Sequence, residues 1–180
     1  MRGRRPSFQI GIKSFLVLFV ILSLLLAWLV PQRAIRVRDA KAMDQLRSRG
    51  CGFYYYNGID ENDSTWHEKR MDDCFGRRVR TVIWKGAKIE DLNPLKEITK
   101  LRDVMITNSE IGDISVLGEI PSIRMIELVG SDVDDLTPLK SLPNLEHLNV
   151  NRTSLTDAQV KQFVDSKPNC RVLHSSIPSN

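Results

Sequence analysis

The stretches VRTVIWKGAKIEDLNPLKEITK (79–100), LRDVMITNSEIGDISVLGEIPS (101–122), IRMIELVGSDVDDLTPLKSLPN (123–144) and LEHLNVNRTSLTDAQVKQFVDSKPN (145–169) form columns when written one beneath another. Positions one, four and six are apolar in every line: Val79, Val82 and Trp84; Leu101, Val104 and Ile106; Ile123, Ile126 and Leu128; Leu145, Leu148 and Val150. A further apolar column follows at Ile89, Ile111, Val133 and Leu155, and an Asp stands two residues later each time, at Asp91, Asp113, Asp135 and Asp157. A second apolar set closes the first three units (Leu92, Leu95 and Ile98; Ile114, Leu117 and Ile120; Leu136, Leu139 and Leu142), and Cys170-Arg171-Val172-Leu173 begins a fifth line. A fixed period of this length marks stacked supersecondary units, none of which can bury its apolar side chains alone.

The columns resemble the leucine-rich repeat, L-x-x-L-x-L-x-x-N-x-L, in its short bacterial form of about 22 residues. The resemblance covers about half the chain. It implies an α/β solenoid with a parallel sheet on the concave side and 3₁₀ or α segments on the convex side. Position nine departs from the pattern, because Ala87, Ser109, Ser131 and Thr153 replace the usual Asn. The hydroxyls could still bond the turning backbone, whereas Ala87 could not. The repeated Asp is placed to cap the convex segment. Asn93-Pro94, Ser115-Val116 and Thr137-Pro138 favour a tight turn or short 3₁₀ piece, and Asp157–Val164 reads as a true helix in a longer, terminal unit.

Upstream, Ser14 to Val30 reads SFLVLFVILSLLLAWLV, seventeen residues without a charge. That lies at the short end of the roughly 17–25 residues that cross a hydrocarbon core. Trp28 suits an interfacial aromatic and Pro31 closes the apolar run. A cleaved signal peptide fits less well, because the run is long and no small-x-small site follows. A buried soluble helix would show a polar stripe, which is missing here. We therefore read an uncleaved single-pass anchor. Basic residues flank it on both sides, Arg2, Arg4, Arg5 and Lys13 before and Arg33, Arg36, Arg38 and Lys41 after. A short positive tail resists translocation while a long domain can cross regardless of charge, so the repeat domain is expected outside the cytoplasm.

Between anchor and repeats, Ile35, Ala42, Met43 and Leu46 have helical spacing and Gly50 offers a left-handed stop. Cys51-Gly52-Phe53-Tyr54-Tyr55-Tyr56 reads as an aromatic strand covering the open end of the sheet, and Asp60–Asp63 as a solvated loop. Thr65 and Glu68 have capping-box spacing for a short helix that ends near Gly76. The expected divisions are a basic tail (1–13), a transmembrane helix (14–30), a juxtamembrane helix (31–50), a cap (51–78), and repeats with a C-terminal cap (79–180).

Charge narrows the function classes. Residues 1–50 hold ten Lys/Arg against Asp39 and Asp44, so the remainder is acidic on balance, with sixteen basic and twenty acidic residues. A mildly acidic body argues against nucleic acid as partner. No nucleophile elbow, phosphate loop, H-E-x-x-H or paired-Cys motif occurs, so neither an enzyme nor a small-molecule cofactor is expected. His67, His147 and His174 each lack a ligand companion in the sequence. Cys51 and Cys74 could pair in an oxidising compartment, and the other reading is two small buried hydrophobes.

By the resemblance, binding falls to the concave sheet, which displays positions three, five and seven. Those are Thr81, Ile83 and Lys85; Asp103, Met105 and Thr107; Met125, Glu127 and Val129; His147, Asn149 and Asn151. Ile83, Met105, Met125 and Val129 would form an apolar centre ringed by charge, suited to a protein or peptide. The competing expectations are a structural or envelope-associated spacer without a ligand, and an adaptor facing the cytoplasm.

Overall fold

A computed structural model describes residues 12–55 and 79–175, which fall into two compact units, Met1–Ile35 and Arg36–Asn180. The tail arginines, Tyr56, the acidic loop, the Thr65–Glu68 capping box, His67, Cys74 and Gly76 lie outside the described residues.

Helix α1 (Ile12–Arg47) supplies the first unit. Its large side chains from Phe15 to Leu26 are all about half exposed or more, Ile21 at 49% and Leu24 at 66%. Ser23 is the polar residue of that stretch, and its hydroxyl donates to the Phe19 carbonyl at 2.8 Å, hiding its hydrogen in the helix's own backbone. Among the described residues this is the one helix long and apolar enough to cross a membrane. Pro31, which closes the apolar run in the sequence, lies inside the helix instead of after it. It removes one backbone donor without ending the element.

In the second unit the last turns of α1 turn Ala42 and Leu46 into the core, four residues apart on one face. Gly50, with φ +77°, stops the helix as its sequence position suggests, and the Cys51 N–H returns to the Leu46 carbonyl at 3.1 Å. Buried Asp39 accepts from the Thr99 N–H (3.1 Å) and hydroxyl (2.8 Å). Arg49 donates to both the carbonyl and the carboxylate of Asp91, at 3.0 Å each. These bonds fasten the helix end to Asp91 and Thr99, on either side of the segment Asn93–Glu97.

Strand β1 (Gly52–Tyr55) runs antiparallel to β2 (Val79–Lys85) at one edge of a six-stranded sheet. Strands β4 (Asp103–Thr107), β6 (Met125–Glu127), β7 (His147–Asn149) and β8 (Arg171–Leu173) follow β2 in parallel. Thr81 is level with Asp103, Asp103 with Met125 and Met125 with His147, each 22 residues further along. The short pair β3 (Lys88–Ile89) and β5 (Glu110–Ile111) repeats the step on a second line. Every apolar column of the sequence is buried in one continuous core, where Val82, Val104, Ile126 and Leu148 are at most 1% exposed. Burying such side chains contributes roughly 1.5–3 kcal/mol each, which offsets the entropy of ordering short strands.

Behind the sheet stand 3₁₀ segments η1 (Asn93–Glu97) and η2 (Thr137–Ser141), with a single α-turn α2 (Ser115–Gly118) between them. The repeated Asp caps them from one residue further out than a formal N-cap. Asp91, Asp113 and Asp135 each accept the N–H two residues on at 2.8 Å, while Leu92, Ile114 and Leu136 occupy the N-cap position. The fourth unit corrects the expectation for Asp157. Helix α3 (Asp157–Ser166) is capped by Thr156 in a reciprocal box with Gln159, because a hydroxyl at N-cap and an amide at N3 satisfy two backbone donors together.

Position nine works as a ladder of hydroxyls. Ser109 Oγ accepts the Ala87 N–H at 3.2 Å and donates to the Thr107 carbonyl at 2.9 Å. Ser131 Oγ likewise accepts from the Ser109 N–H and donates to Ile106. The hydroxyls of Ser109 and Ser131 thus serve the amide of the preceding coil, whereas Thr153 donates to Val150 in its own coil at 2.8 Å and the Ser131 N–H bonds the Leu128 carbonyl. Ala87 stands in the first coil and has no predecessor to serve, which explains how the column tolerates it.

Position eight, just before, is left-handed in all four units: Gly86 (φ +62°), Asn108 (+49°), Gly130 (+67°) and Arg152 (+56°). The chain turns out of each strand there, and this conformation favours glycine.

Candidate functional site

Alternation along the strands turns positions four and six into the core and leaves positions three, five and seven on the open face. Lys85 and His147 are exposed there, and Thr81, Ile83, Asp103, Met105, Thr107, Met125, Glu127, Val129, Asn149 and Asn151 are half-buried. The parallel register orders the face into rows. The row of position three runs Thr81, Asp103, Met125, His147; that of position five runs Ile83, Met105, Glu127, Asn149.

This order brings some of the apolar centre together and divides the rest. Ile83 and Met105 stand level on neighbouring strands, and Met125 lies one strand over and diagonal to Met105. Val129 is set apart, because Glu127 stands between it and Met125 on the same segment. The face is partly self-satisfied: the Thr81 hydroxyl donates to the Asp103 carboxylate at 2.9 Å, and the Asn149 side chain accepts from the Asn151 N–H at 3.2 Å.

Two residues of the face escape a reading by columns. The sequence lines set Cys170 at position one and Leu173 at position four. The structure instead pairs Leu148 with Val172, a step of 24 residues, which shifts the last strand by one place. Arg171 then joins the row of His147 and Leu173 the row of Asn149. With Met125, Glu127, His147 and Asn149 they line an open depression of about 200 Å³. Apolar and charged groups alternate across it: Met125 and Leu173 stand at opposite corners, Glu127 and Arg171 at the other two. The signal for this register is weak because Val172 and Leu173 are both apolar and either can fill position four, although the slip puts Asn169 instead of Cys170 at position one.

The remaining candidates have other roles. His174 bonds Asp157 at 3.1 Å and fastens the chain after β8 to the start of α3. No group of metal-ligating side chains occurs among the described residues. Cys51 is buried, and that burial pushes its thiol up to about 12, against a smaller opposing hydrogen bond to the Ile83 backbone. Its sequence-suggested partner Cys74 lies outside the described residues. Cys170 is also buried, and its thiol is raised by the same cause.

No family model matches the chain, and no curated protein matches it. Similar solved structures include an internalin (inlF) from Listeria monocytogenes, with 18% identity, 50% of this chain and 34% of that chain covered, and a TM-score of 0.39. An internalin C2 (inlC2) from the same species shows 22% identity, 54% and 44% coverage, and a TM-score of 0.42. This chain spans less than half the length of either.

Proposed function

We propose that the chain is a leucine-rich-repeat protein whose solenoid, within residues 79–180, recognises a protein or peptide through its concave face. Residues 14–30 are its single membrane span, and the repeats lie on the side away from the cytoplasm. The observation that carries the recognition reading is the open sheet face, where Ile83, Met105 and Met125 neighbour one another amid Lys85, Asp103 and Glu127. An apolar centre with a polar rim is the composition of a protein-binding patch. The membrane span is supported by the outward apolar side chains of α1 from Phe15 to Leu26. Residues 51–78 serve as the cap of the first coil.

Replacing Met125 with Arg tests recognition, since it places a charge in the centre while the strand keeps its buried neighbours. Partners cross-linked to the native protein in its membrane are expected to disappear. Adducts identical to the wild type would leave the repeats as a spacer. A reporter that is active only after export, fused at the C-terminus, is expected to be active. Activity of a cytoplasm-only reporter at that position would reverse the orientation.

A further inference from the structure

Strand β8 is the last in the sheet order, and its outer edge has no pairing strand among the described residues. Its inward bonds are made by residues 171 and 173: the Arg171 N–H donates to the Glu146 carbonyl at 2.8 Å, and the Leu173 carbonyl accepts from the Val150 N–H at 2.9 Å. Strand alternation then points the N–H and C=O of Val172 away from the sheet. A second observation concerns the side chain of the same residue. At position four, Val82, Val104, Ile126 and Leu148 are 0–1% exposed, yet Val172 in that row is only half-buried, and Leu173 beside it is 43% exposed. The backbone donor, the backbone acceptor and the unfinished apolar row coincide at one residue. That is an open edge beside an unfinished apolar row, and its one charge, Arg171, stands on the open face in the row of His147.

We infer that β8 pairs with β8 of a second copy of this chain, antiparallel about a two-fold axis through Val172. The edge is self-complementary in the way a two-fold contact requires. The N–H and C=O of Val172 meet their counterparts in the second copy and form two reciprocal hydrogen bonds. Arg171 falls opposite Leu173 of the second copy, and Leu173 opposite its Arg171. No like charges are directly opposed, and the Arg171 stem lies along the apolar side chain. Neighbouring rows close over Val172, and the two sheets become one. This inference is independent of the recognition reading, because it uses the edge of the sheet and leaves Ile83, Met105 and Met125 untouched.

The test is the mass of the full chain in detergent micelles, measured by sedimentation for three proteins. The wild type is expected to be dimeric. Leu173→Lys keeps every backbone group but sets Lys against Arg across the two-fold twice, and is expected to be monomeric. The double variant Arg171→Glu/Leu173→Lys makes those opposed charges complementary and is expected to recover the dimer. The recovery separates this contact from association through the apolar helix, which neither substitution touches. A monomeric wild type, a dimer indifferent to Leu173→Lys, or a double variant that stays monomeric would each overturn the inference.

Discussion

Arg152 occupies a backbone position that the other three coils give to Gly86, Asn108 and Gly130. Its Cβ crowds the following carbonyl in the left-handed conformation, at a cost of roughly 1–2 kcal/mol, part of which glycine would return through its greater unfolded-state entropy. Arg152→Gly is therefore expected to raise stability by about 0.5–1 kcal/mol, read as a higher urea midpoint with unchanged slope. A lower midpoint would mean that its exposed side chain contributes more than the strain removes. Ser109 presents the opposite case. It is 4% exposed, and its hydroxyl satisfies both the Ala87 N–H and the Thr107 carbonyl. Ser109→Ala leaves both without that partner, and a loss of about 1–2 kcal/mol in the same measurement is expected. The position-nine column was legible in the sequence as small polar residues. Position eight was written there too, as Gly86, Asn108 and Gly130 at equal spacing, but Arg152 breaks it, since only backbone geometry shows that an arginine has taken a glycine's place.

At the level of elements, three separate turns share one device: a carboxylate bonding the N–H two residues on. In each of Asp91, Asp113 and Asp135 hydrogen bonds hold the carboxyl below the usual carboxylate range. The Asn93 N–H is the largest influence on the first, the Ser115 hydroxyl on the second, and the Thr137 hydroxyl on the third. A carboxylate depressed by folding stabilises the fold above its unfolded value, and that stability is lost as pH falls through the folded one. All three convex segments should therefore weaken together on acidification below the usual carboxylate range. The triple variant Asp91→Asn/Asp113→Asn/Asp135→Asn keeps an acceptor at each turn but nothing to titrate. Its urea midpoint should fall less steeply with acid than the wild type's, and parallel curves would refute the account. The convex turns were readable from Asp and Pro alone. Thr156 as the cap of α3 was not, because Asp157 continues the Asp column and only the reciprocal bonds to Gln159 select its neighbour.

For the whole molecule, the two ends of the sheet are finished differently. Cys51 sits between the end of α1 and β1, whereas Cys170 immediately precedes β8. Both thiols are raised by burial, so the native fold holds each protonated and unreactive at neutral pH. In a stack whose units touch only their neighbours, opening begins at the less covered end. In rising urea Cys170 of the monomeric Leu173→Lys variant, whose β8 edge is open, is expected to take up iodoacetamide before Cys51, as followed by peptide mass. Simultaneous labelling would instead show one cooperative unit. The same burial makes the Cys51 contribution to stability complete below the unfolded thiol's value and lost as pH rises towards about 12. The architecture at this scale was largely legible, because buried columns at a fixed period leave few ways to stack. The register of β8 was not, since two apolar neighbours, Val172 and Leu173, fit the core row about equally well and the length of the α3 coil decides between them.

The hydroxyls of position nine give the stack a direction of growth. The second and third coils each carry the hydroxyl that finishes their predecessor, so the first member owes nothing and Ala87 can stand there, while Thr153 in the fourth bonds within its own coil. A coil like residues 101–122 is in this sense a complete part, with one outlet and one inlet. The fold can lengthen from within by copying such a part in frame, whereas a coil lacking its hydroxyl fits only at the head of the line.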